Sequence, residues 1–340
     1  MQYPNKKKVL DRNFVFFVCT DTDEKFVFHD FFMNKNIRII NKAHFFSSHL
    51  LSFAFRFSFS QEANKKFGVT GKRIWFKLIA RRCVFENNNP VVLVFSQGWH
   101  NVSFVRWLKR RHPELRRIIY FDDTIQFCTT RIARLYPDLL KNQYDCVLSY
   151  NPADVKQYGF TFSRVYFSKI PVENLQKLQK VDLVFIGNVK DRLSLIISIY
   201  QKLHKKVKCN FVVVGVKKRT QVEDGITYRS TYIPYLSYLE NEIAGNCILE
   251  ILKGDTQGCS YRVWEAVYYN KKLLTNWKGI FSFPYYNPKY MRYFETADDI
   301  DVDFLQSGES VNYGYSNENS PIHLLELIDK ILDKEKASHG

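Results

Sequence analysis

The sequence lacks any long apolar run. Its apolar stretches, such as Phe14–Cys19 and Val91–Phe95, have the length of a strand, whereas a membrane-spanning helix needs about 20 such residues. The basic cluster Lys6–Lys8 is followed by an apolar run too short for a secretory signal. Glycine (14) and proline (10) are too scarce for a collagen-like or low-complexity chain. These absences exclude a transmembrane helix and a fibrous protein, and they favour a cytoplasmic globular protein.

Cysteine is also sparse and dispersed. Seven cysteines occur among the 340 residues, and no two of them have C-x-x-C spacing. This pattern argues against a zinc site or a disulfide framework, and it is typical of reduced, buried thiols in the cytoplasm. We therefore expect no metal centre.

Acidic residues are scarce only in the first half. Residues 1–172 contain 28 Lys and Arg against 13 Asp and Glu, a net charge of +15, whereas residues 173–340 carry +1. Such an asymmetry indicates that the first half meets an anionic partner, which is a nucleic acid, an anionic membrane surface or an acidic substrate.

What the sequence does contain is a repeated α/β pattern. Hydrophobic residues make up 46% of the chain, enough for substantial cores. Apolar strand-like runs alternate with helical periodicity from Val91 to Tyr150, and the alternation restarts at Asp182. This pattern predicts parallel sheets in two doubly wound halves. Because the periodicity lapses near Ile170–Val172, we predict domains at 1–172 and 173–320, with a C-terminal helix at 321–336 that is free to pack back on the first.

Individual elements follow from the same periodicities. We expect helices over Gly71–Cys83, Val102–Arg111 and Ile132–Leu140 in the first half, and Lys272–Thr275 as the last strand of the second.

The most informative stretch is Gln257–Glu265. A Gly-Cys-Ser turn at 258–260 opens a predicted helix, whose free backbone N–H groups and positive dipole end favour a phosphate. Arg262 adds a cation on the first turn, and Glu265 adds a carboxylate suited to the hydroxyls of a ribose. An ordinary capped helix with a surface Arg–Glu pair explains the same residues.

This stretch resembles the donor-binding motif of GT-B glycosyltransferases, particularly the large retaining family in which a Glu-x7-Glu run opens a helix. Glu265 and Ala266 match the second Glu and its Ala, and a strand follows as in the family. Gln257 stands where the family has the first Glu, and Asn270 where it has a Gly. Val184–Asn188 resembles the family's strand and loop before a basic pair that grips the donor pyrophosphate.

The resemblance implies that Lys190 and Arg192 take the role of this basic pair. It also implies two Rossmann-like domains that face each other across a cleft. The nucleotide-sugar donor would be a substrate, and no cofactor or metal would be needed. The candidate donor-binding residues are Gly187, Lys190, Arg192, Gly215, Gln257, Gly258, Cys259, Ser260, Arg262 and Glu265.

An inverting enzyme would need a general base on the acceptor side. His100, Asp122, Asp123 and Asp21 all follow predicted strands of the first half, where ligands collect in open α/β sheets. As alternatives, Asp122 caps the next segment and His100 packs on Trp99. Asp21-Thr-Asp23 has the D-x-D pattern, but we interpret it as loop chemistry. The residues leave retention and inversion open.

The sequence thus predicts a glycosyltransferase that moves a hexose to a lipid-linked or oligosaccharide acceptor of a surface polysaccharide. Residues 144–159 are similar to bacterial transferases of capsule and lipooligosaccharide synthesis, and O-antigen belongs to the same acceptor class. The basic helix Gly71–Cys83, with phenylalanines nearby, predicts peripheral attachment to the anionic inner face of the cell membrane.

Two alternatives stay open. A basic α/β protein that binds RNA would explain the charge, but we find no RNP, KH, zinc-finger or helix-turn-helix signature and expect no nucleic-acid partner. A GT-B-type phosphotransferase of teichoic-acid-like polymers is the other alternative, although the paired His motifs of those enzymes are not found in the sequence.

Overall fold

A computed structural model describes residues 11–18, 24–60, 63, 66, 72–132, 134–189, 191–216, 225–252 and 257–339. The chain divides into two compact units. The first comprises Met1–Glu24, Phe28–Tyr166 and Ser320–Gly340, and the second comprises Lys25–Val27 and Phe167–Asn319. Among the helices described, none combines the length and the apolar character needed to span a bilayer.

The first unit is built on a parallel six-stranded sheet with the strand order β2-β1-β3-β4-β5-β6. Its strands are β1 (Asn13–Val18), β2 (Ile37–Asn41), β3 (Val91–Ser96), β4 (Arg116–Phe121), β5 (Cys146–Ser149) and β6 (Thr161–Phe162). Nearly every side chain of β1 and β3 is buried. Both strands therefore have continuous apolar sequences, as expected for central strands of a parallel sheet.

Helices and short turns connect these strands along the chain, and the last three residues of the first helix belong to the second unit. The helices are α1 (Glu24–Val27), α2 (His49–Phe59), α3 (Arg73–Arg81), α4 (Val102–Arg111), α5 (Ile125–Arg131), α6 (Leu140–Gln143) and α7 (Pro152–Tyr158). The 3-10 turns are His29–Met33, Gln97–Trp99 and Pro137–Leu139. Asn101 begins α4 because its side chain accepts a hydrogen bond from the Phe104 N–H at 3.0 Å. The predicted bounds of α4 are confirmed.

The core of the first unit is aromatic. The rings of Phe17 and Phe95, on neighbouring strands, stack with centroids 4.5 Å apart. Trp99 and Phe104 meet the Phe17 ring edge-on. Offset and edge-on ring contacts of this kind add to the stabilisation that comes from burial alone.

The helix predicted over residues 132–140 is wrong. Helix α5 precedes this range and α6 begins only at its last residue. Thr124 begins α5 early, since its hydroxyl accepts from the Phe127 N–H at 3.3 Å. Arg134 has a φ of 57°, a left-handed conformation that does not continue a right-handed helix.

The second unit has its own parallel six-stranded sheet, with the order β12-β11-β10-β7-β8-β9. Its strands are β7 (Val181–Asn188), β8 (Cys209–Val214), β9 (Thr227–Arg229), β10 (Gly245–Glu250), β11 (Lys272–Thr275) and β12 (Met291–Tyr293). We predicted β11 as the last strand, which is wrong because β12 pairs with it.

The helices of this unit are α8 (Leu193–Leu203), α9 (Tyr235–Ala244), α10 (Tyr261–Tyr268) and α11 (Val302–Gln306). The 3-10 turns are Val172–Asn174, Lys278–Ser282 and Ala297–Asp299. The C-terminal helix α12 (Ile322–His339) belongs to the first unit, where Leu324, Leu325, Ile328 and Leu332 are buried.

The order of strands in the second sheet reverses between β7 and β10. The chain builds β8 and β9 on one side of β7, then returns to place β10, β11 and β12 on the other. A reversal of this kind opens a crevice at the carboxyl ends of the two strands, where α/β proteins bind ligands. Gly245 permits the close pairing, because a Cβ there would lie 2.5 Å from Cγ1 of Val184.

Candidate functional site

Arg192 lies at the carboxyl ends of β7 and β10, directly before α8. Its guanidinium donates hydrogen bonds to the Asn188 carbonyl at 3.0 and 3.1 Å. It also donates to the carbonyl of Ile251, which follows β10. These acceptors are backbone groups that carry no net charge, so they hold the guanidinium in place without neutralising it.

Arg262 comes to the same point from the first turn of α10. It donates from Nη2 to the carbonyl of Ile186 and from Nε to Glu242 at 3.1 Å. A Cβ on Gly187 would lie 3.1 Å from Arg262 Nη2 and 3.2 Å from Arg192 Nη2. Two guanidinium groups therefore meet beside a glycine at the switch point of the sheet.

The two arginines share one electrostatic environment. Each guanidinium carbon lies 5.8 Å from the centroid of the Phe185 ring. Burial, reinforced by the charge of Arg262, lowers the pKa of Arg192 to about 10. Burial alone would lower the pKa of Arg262. The electrostatic effects of Tyr238 and of the carboxyl groups of Glu242, Glu250 and Glu265 are together larger, so the pKa is raised overall. Both side chains stay protonated at neutral pH, so an anion between them would relieve their repulsion.

Glu250 anchors the start of α10. It is fully buried at the end of β10, and its carboxylate accepts from the hydroxyls of Ser260 and, at 2.6 Å, Thr275. Burial raises the pKa of Glu250, against the effect of these hydrogen bonds. Ser260 in turn accepts from the Arg262 N–H at 3.2 Å and so caps the helix. The sequence shows Glu250 only as a carboxylate at a strand end, and its link to Ser260 appears in the structure.

The rest of the predicted turn lies at the N-terminus of α10. The Gln257 carbonyl accepts from Trp277 Nε1 at 2.9 Å, Gly258 is buried, and Cys259 is half-buried. Nearby, Gly215 follows β8 with a φ of 85°, which favours glycine. Its backbone is close to the end of β7, since a Cβ there would lie 3.7 Å from Asn188 Oδ1. Lys190 lies outside the residues that the structure describes.

Glu265 is bound by tyrosines rather than exposed to a ligand. Its side chain is fully buried, and its two carboxylate oxygens accept from Tyr235 at 3.0 Å and Tyr238 at 2.9 Å. A ribose would need an exposed oxygen, so this arrangement does not favour the predicted contact. Glu242, also buried, lies close to Glu265, and its pKa is raised by burial and by that neighbouring carboxyl group. Glu265 and Glu242 thus help to fix α9 against α10.

The candidate bases of the first unit are in different environments. His100 is fully buried, with Nδ1 3.0 Å from the Tyr144 hydroxyl and Nε2 3.4 Å from the Arg134 carbonyl. Burial lowers the pKa of His100 to about 4, so the ring is neutral at physiological pH. A histidine with no exposed surface is a packing residue here, and the base role predicted for it is not favoured.

Asp122 and Asp123 follow β4 at the carboxyl edge of the sheet, and both are half-buried. The Asp122 carboxylate accepts from the Gln97 side-chain amide, and its N–H donates to Gln97 Oε1 at 3.2 Å. Burial raises the pKa of Asp122, although the hydrogen bond from Gln97 opposes the shift. Asp21 and Asp23 lie outside the described residues.

Two parallel six-stranded sheets with connecting helices make this a two-domain α/β protein with the GT-B fold. A solved structure of OtsA in the apo form is similar over 94% of this chain and 99% of that chain, with a TM-score of 0.54 and 10% identity. At this identity the likeness is one of fold. No protein-family model and no curated protein matches the sequence.

Other solved structures resemble the chain more distantly. An alpha-glucosyltransferase in complex with UDP-glucose and DNA containing an abasic site has a TM-score of 0.45 and 12% identity, over 78% of this chain and 79% of that chain. A putative UDP-N-acetylglucosamine 2-epimerase from Listeria monocytogenes has a TM-score of 0.47 and 7% identity, over 96% and 98%.

Proposed function

We propose that the protein is a glycosyltransferase that moves a hexose from a nucleotide sugar to an acceptor. The observation that carries this proposal is the pair of guanidinium groups, from Arg192 and Arg262, that meet at the Cβ position of Gly187. When the glycosidic bond of the donor breaks, negative charge develops on the departing nucleoside diphosphate. Fixed cations placed where that charge develops lower the barrier most.

Each part of the switch point then has a role. The two arginines and the N-terminus of α10 bind the pyrophosphate, with Lys190 as a further cation. Gly187, having no side chain, leaves room for both guanidinium groups. Glu250 and Ser260 hold the start of α10 in position. We propose that these cations supply the stabilising charge without a metal ion.

We propose that the first unit binds the acceptor. Asp122 or Asp123 would take the proton of the acceptor hydroxyl if the reaction inverts the anomeric centre. A carboxylate whose pKa is raised by burial, as at Asp122, is a stronger base than an exposed one. We propose a lipid-linked or oligosaccharide acceptor of a surface polysaccharide, such as capsule, lipooligosaccharide or O-antigen. The net charge of +15 in residues 1–172 supports a location at the anionic inner face of the membrane.

A donor screen tests this function. The full-length protein is melted with UDP, GDP, CDP and ADP and with their common hexose conjugates. At a ligand concentration of 100 times Kd, binding stabilises the folded protein by about 2.7 kcal/mol, so one nucleotide series should raise the Tm clearly. Radiolabelled hexose from that donor should then pass to a membrane extract. If no nucleoside diphosphate raises the Tm at millimolar concentration, the proposal is wrong.

A further inference from the structure

Helix α2 exposes a row of large apolar side chains. Leu50, Phe53 and Phe57 are spaced i, i+3 and i+7, so they lie on one face, and they are 77%, 62% and 44% exposed. The rings of Phe53 and Phe57 stack with centroids 6.3 Å apart. Leu51, beside Leu50 in the sequence but on another side of the helix, is also 46% exposed. Single exposed apolar residues are normal, but a contiguous row on one helix marks an interaction surface.

The opposite face of α2 fixes this orientation. Phe55 and Phe59 are buried, and their rings contact Trp75 and Phe76 of α3 at centroid distances of 5.7 and 6.0 Å. The Trp75 Nε1–H also donates to Ser58 at 3.1 Å. Since the core takes these side chains, α2 cannot rotate to hide the exposed row without losing its packing.

The segment of sequence that contains the row is strongly basic. Residues 35–82 contain eleven Lys and Arg and a single acidic residue, Glu62. The exposed cations on α2 and α3 are Arg56, Arg73, Lys77 and Arg81. Ile74 is exposed among those of α3. An apolar row on a helix within such a basic segment is complementary to an anionic lipid bilayer, which offers hydrocarbon below and phosphate above.

We propose that α2 inserts Leu50, Phe53 and Phe57 into the boundary between headgroups and acyl chains of an anionic bilayer. The cations of α2 and α3 contact the lipid phosphates. The apolar side chains of the row offer a nucleic acid no hydrogen bond. A second copy of the chain would bring its own positive charge to the same surface. Lipid is therefore the occupant that we propose. The inference rests on the proposed function in one respect, that a lipid-linked acceptor would be found at this bilayer.

The test uses the full chain and sedimentation with vesicles. The double variant Phe53→Ser/Phe57→Ser removes the apolar row and keeps every charge. Phe162→Ser is the matched control, because Phe162 is 50% exposed in the same unit but belongs to β6. The wild type should sediment strongly with equimolar phosphatidylcholine and phosphatidylglycerol, and only weakly with phosphatidylcholine alone, where insertion of the apolar row is the sole attraction. The double variant should lose about tenfold or more of its partition coefficient, because membrane binding scales with buried apolar area. The control should match the wild type.

Salt separates insertion from adsorption. At 1 M salt the Debye length is about 3 Å, so purely electrostatic binding disappears. The wild type should keep measurable binding at 1 M salt, and the double variant should keep none. If the melting curve shows the double variant to be unfolded, Leu50→Ser takes its place at the most exposed position of the row.

Four results would overturn the inference. They are no sedimentation of the wild type, equal partition of wild type and double variant, displacement from the vesicles by single-stranded RNA at physiological salt, and a wild-type dimer in solution that the double variant abolishes. Nucleoside diphosphate binding is measured on the same proteins and should be equal in all of them. If no protein binds a nucleotide but the vesicle results hold, the proposed function fails and this surface stands.

Discussion

At the scale of single residues, Arg262 joins three elements. It lies on α10, donates to the carbonyl of Ile186 in β7, and pairs with Glu242 of α9. If its guanidinium also binds the donor pyrophosphate, the helix, the strand and the ligand are held by one side chain. Arginine is suited to this because its donors form a rigid planar fork.

Replacing Arg262 therefore tests the donor site. Arg262→Ala alone would leave Glu242 buried and unpaired, which is itself strongly destabilising. The double variant Glu242→Gln/Arg262→Ala avoids that charge. We expect it to lose about 1.5–3 kcal/mol of nucleoside diphosphate binding, the range for hydrogen bonds to charged groups, or roughly tenfold to a hundredfold in Kd by calorimetry.

Two matched proteins control this experiment. Glu242→Gln by itself keeps Arg262 and should bind with near wild-type affinity. Arg292→Ala removes an exposed arginine from β12, outside the proposed site, and should change nothing. An unaltered Kd in the double variant, with the fold intact by circular dichroism, would remove Arg262 from the pyrophosphate site.

The sequence identified part of this site for a physical reason. Ser260 and Arg262 follow a glycine at a helix start, and the structure places both beside Glu250 at the end of β10. The surroundings of Glu265 could not be predicted in the same way. Its partners, Tyr235 and Tyr238, come from another helix about 30 residues earlier, so only the packing of α9 on α10 brings them to its carboxylate.

At the scale of elements, the end of α10 explains why Asn stands where the resembled family has Gly. Asn270 has a φ of 51°, a left-handed conformation in which Gly has no steric cost and Asn only a small one. Its Oδ1 also accepts from the Tyr313 N–H at 3.1 Å. The residue therefore stops α10 and ties a distant loop to it.

Substitutions at Asn270 should separate these two effects. Asn270→Ala carries the left-handed strain and loses the hydrogen bond, so we expect the free energy of unfolding to fall by about 1–2 kcal/mol. Asn270→Gly loses only the hydrogen bond and should cost less. Urea unfolding, followed by tryptophan fluorescence, measures both. Equal losses in the two variants would mean that the backbone conformation contributes nothing.

Elements were predictable where burial imposes a pattern. The continuous apolar runs of β1, β3 and β7 are confirmed as strands, because both faces of a central parallel strand are covered. The edge strands β6, β9 and β12 have only two or three residues and leave no periodicity to detect. The helix misplaced to residues 132–140 has an apolar sequence, but the capping Thr124 and the left-handed Arg134 decide where the helix lies.

At the scale of the whole molecule, the GT-B fold predicted from the α/β alternation and the motif resemblance is confirmed. The substrate follows less directly from the sequence, since the same pair of sheets supports different chemistries and specificity lies in individual side chains. Within the second unit, the reversal between β7 and β10 depends on which strands pair. Alternation along the sequence does not determine that pairing.

The whole site should work without a divalent ion, if the two arginines and the start of α10 provide the charge for the leaving group. We expect hexose transfer to continue in excess EDTA at near the untreated rate. The measurement is transfer from the donor found in the thermal screen, with and without chelator. Loss of turnover that Mg²⁺ or Mn²⁺ restores, while an equal amount of Ca²⁺-saturated EDTA has no effect, would show that a metal takes part.

The place of α12 has a consequence for how the protein is made. The ribosome completes all of residues 167–319 before it releases the helix that the first unit needs. Until then the apolar surface of the first unit that packs against Leu324, Leu325, Ile328 and Leu332 is exposed to solvent. Arg12 likewise lacks its ion-pair partner Asp329, which lies 2.8 Å away in the folded protein. The second unit, being continuous but for three residues, can fold first. A nascent chain stalled before residue 320 would therefore hold one finished domain and one exposed core, the form that chaperones and proteases recognise.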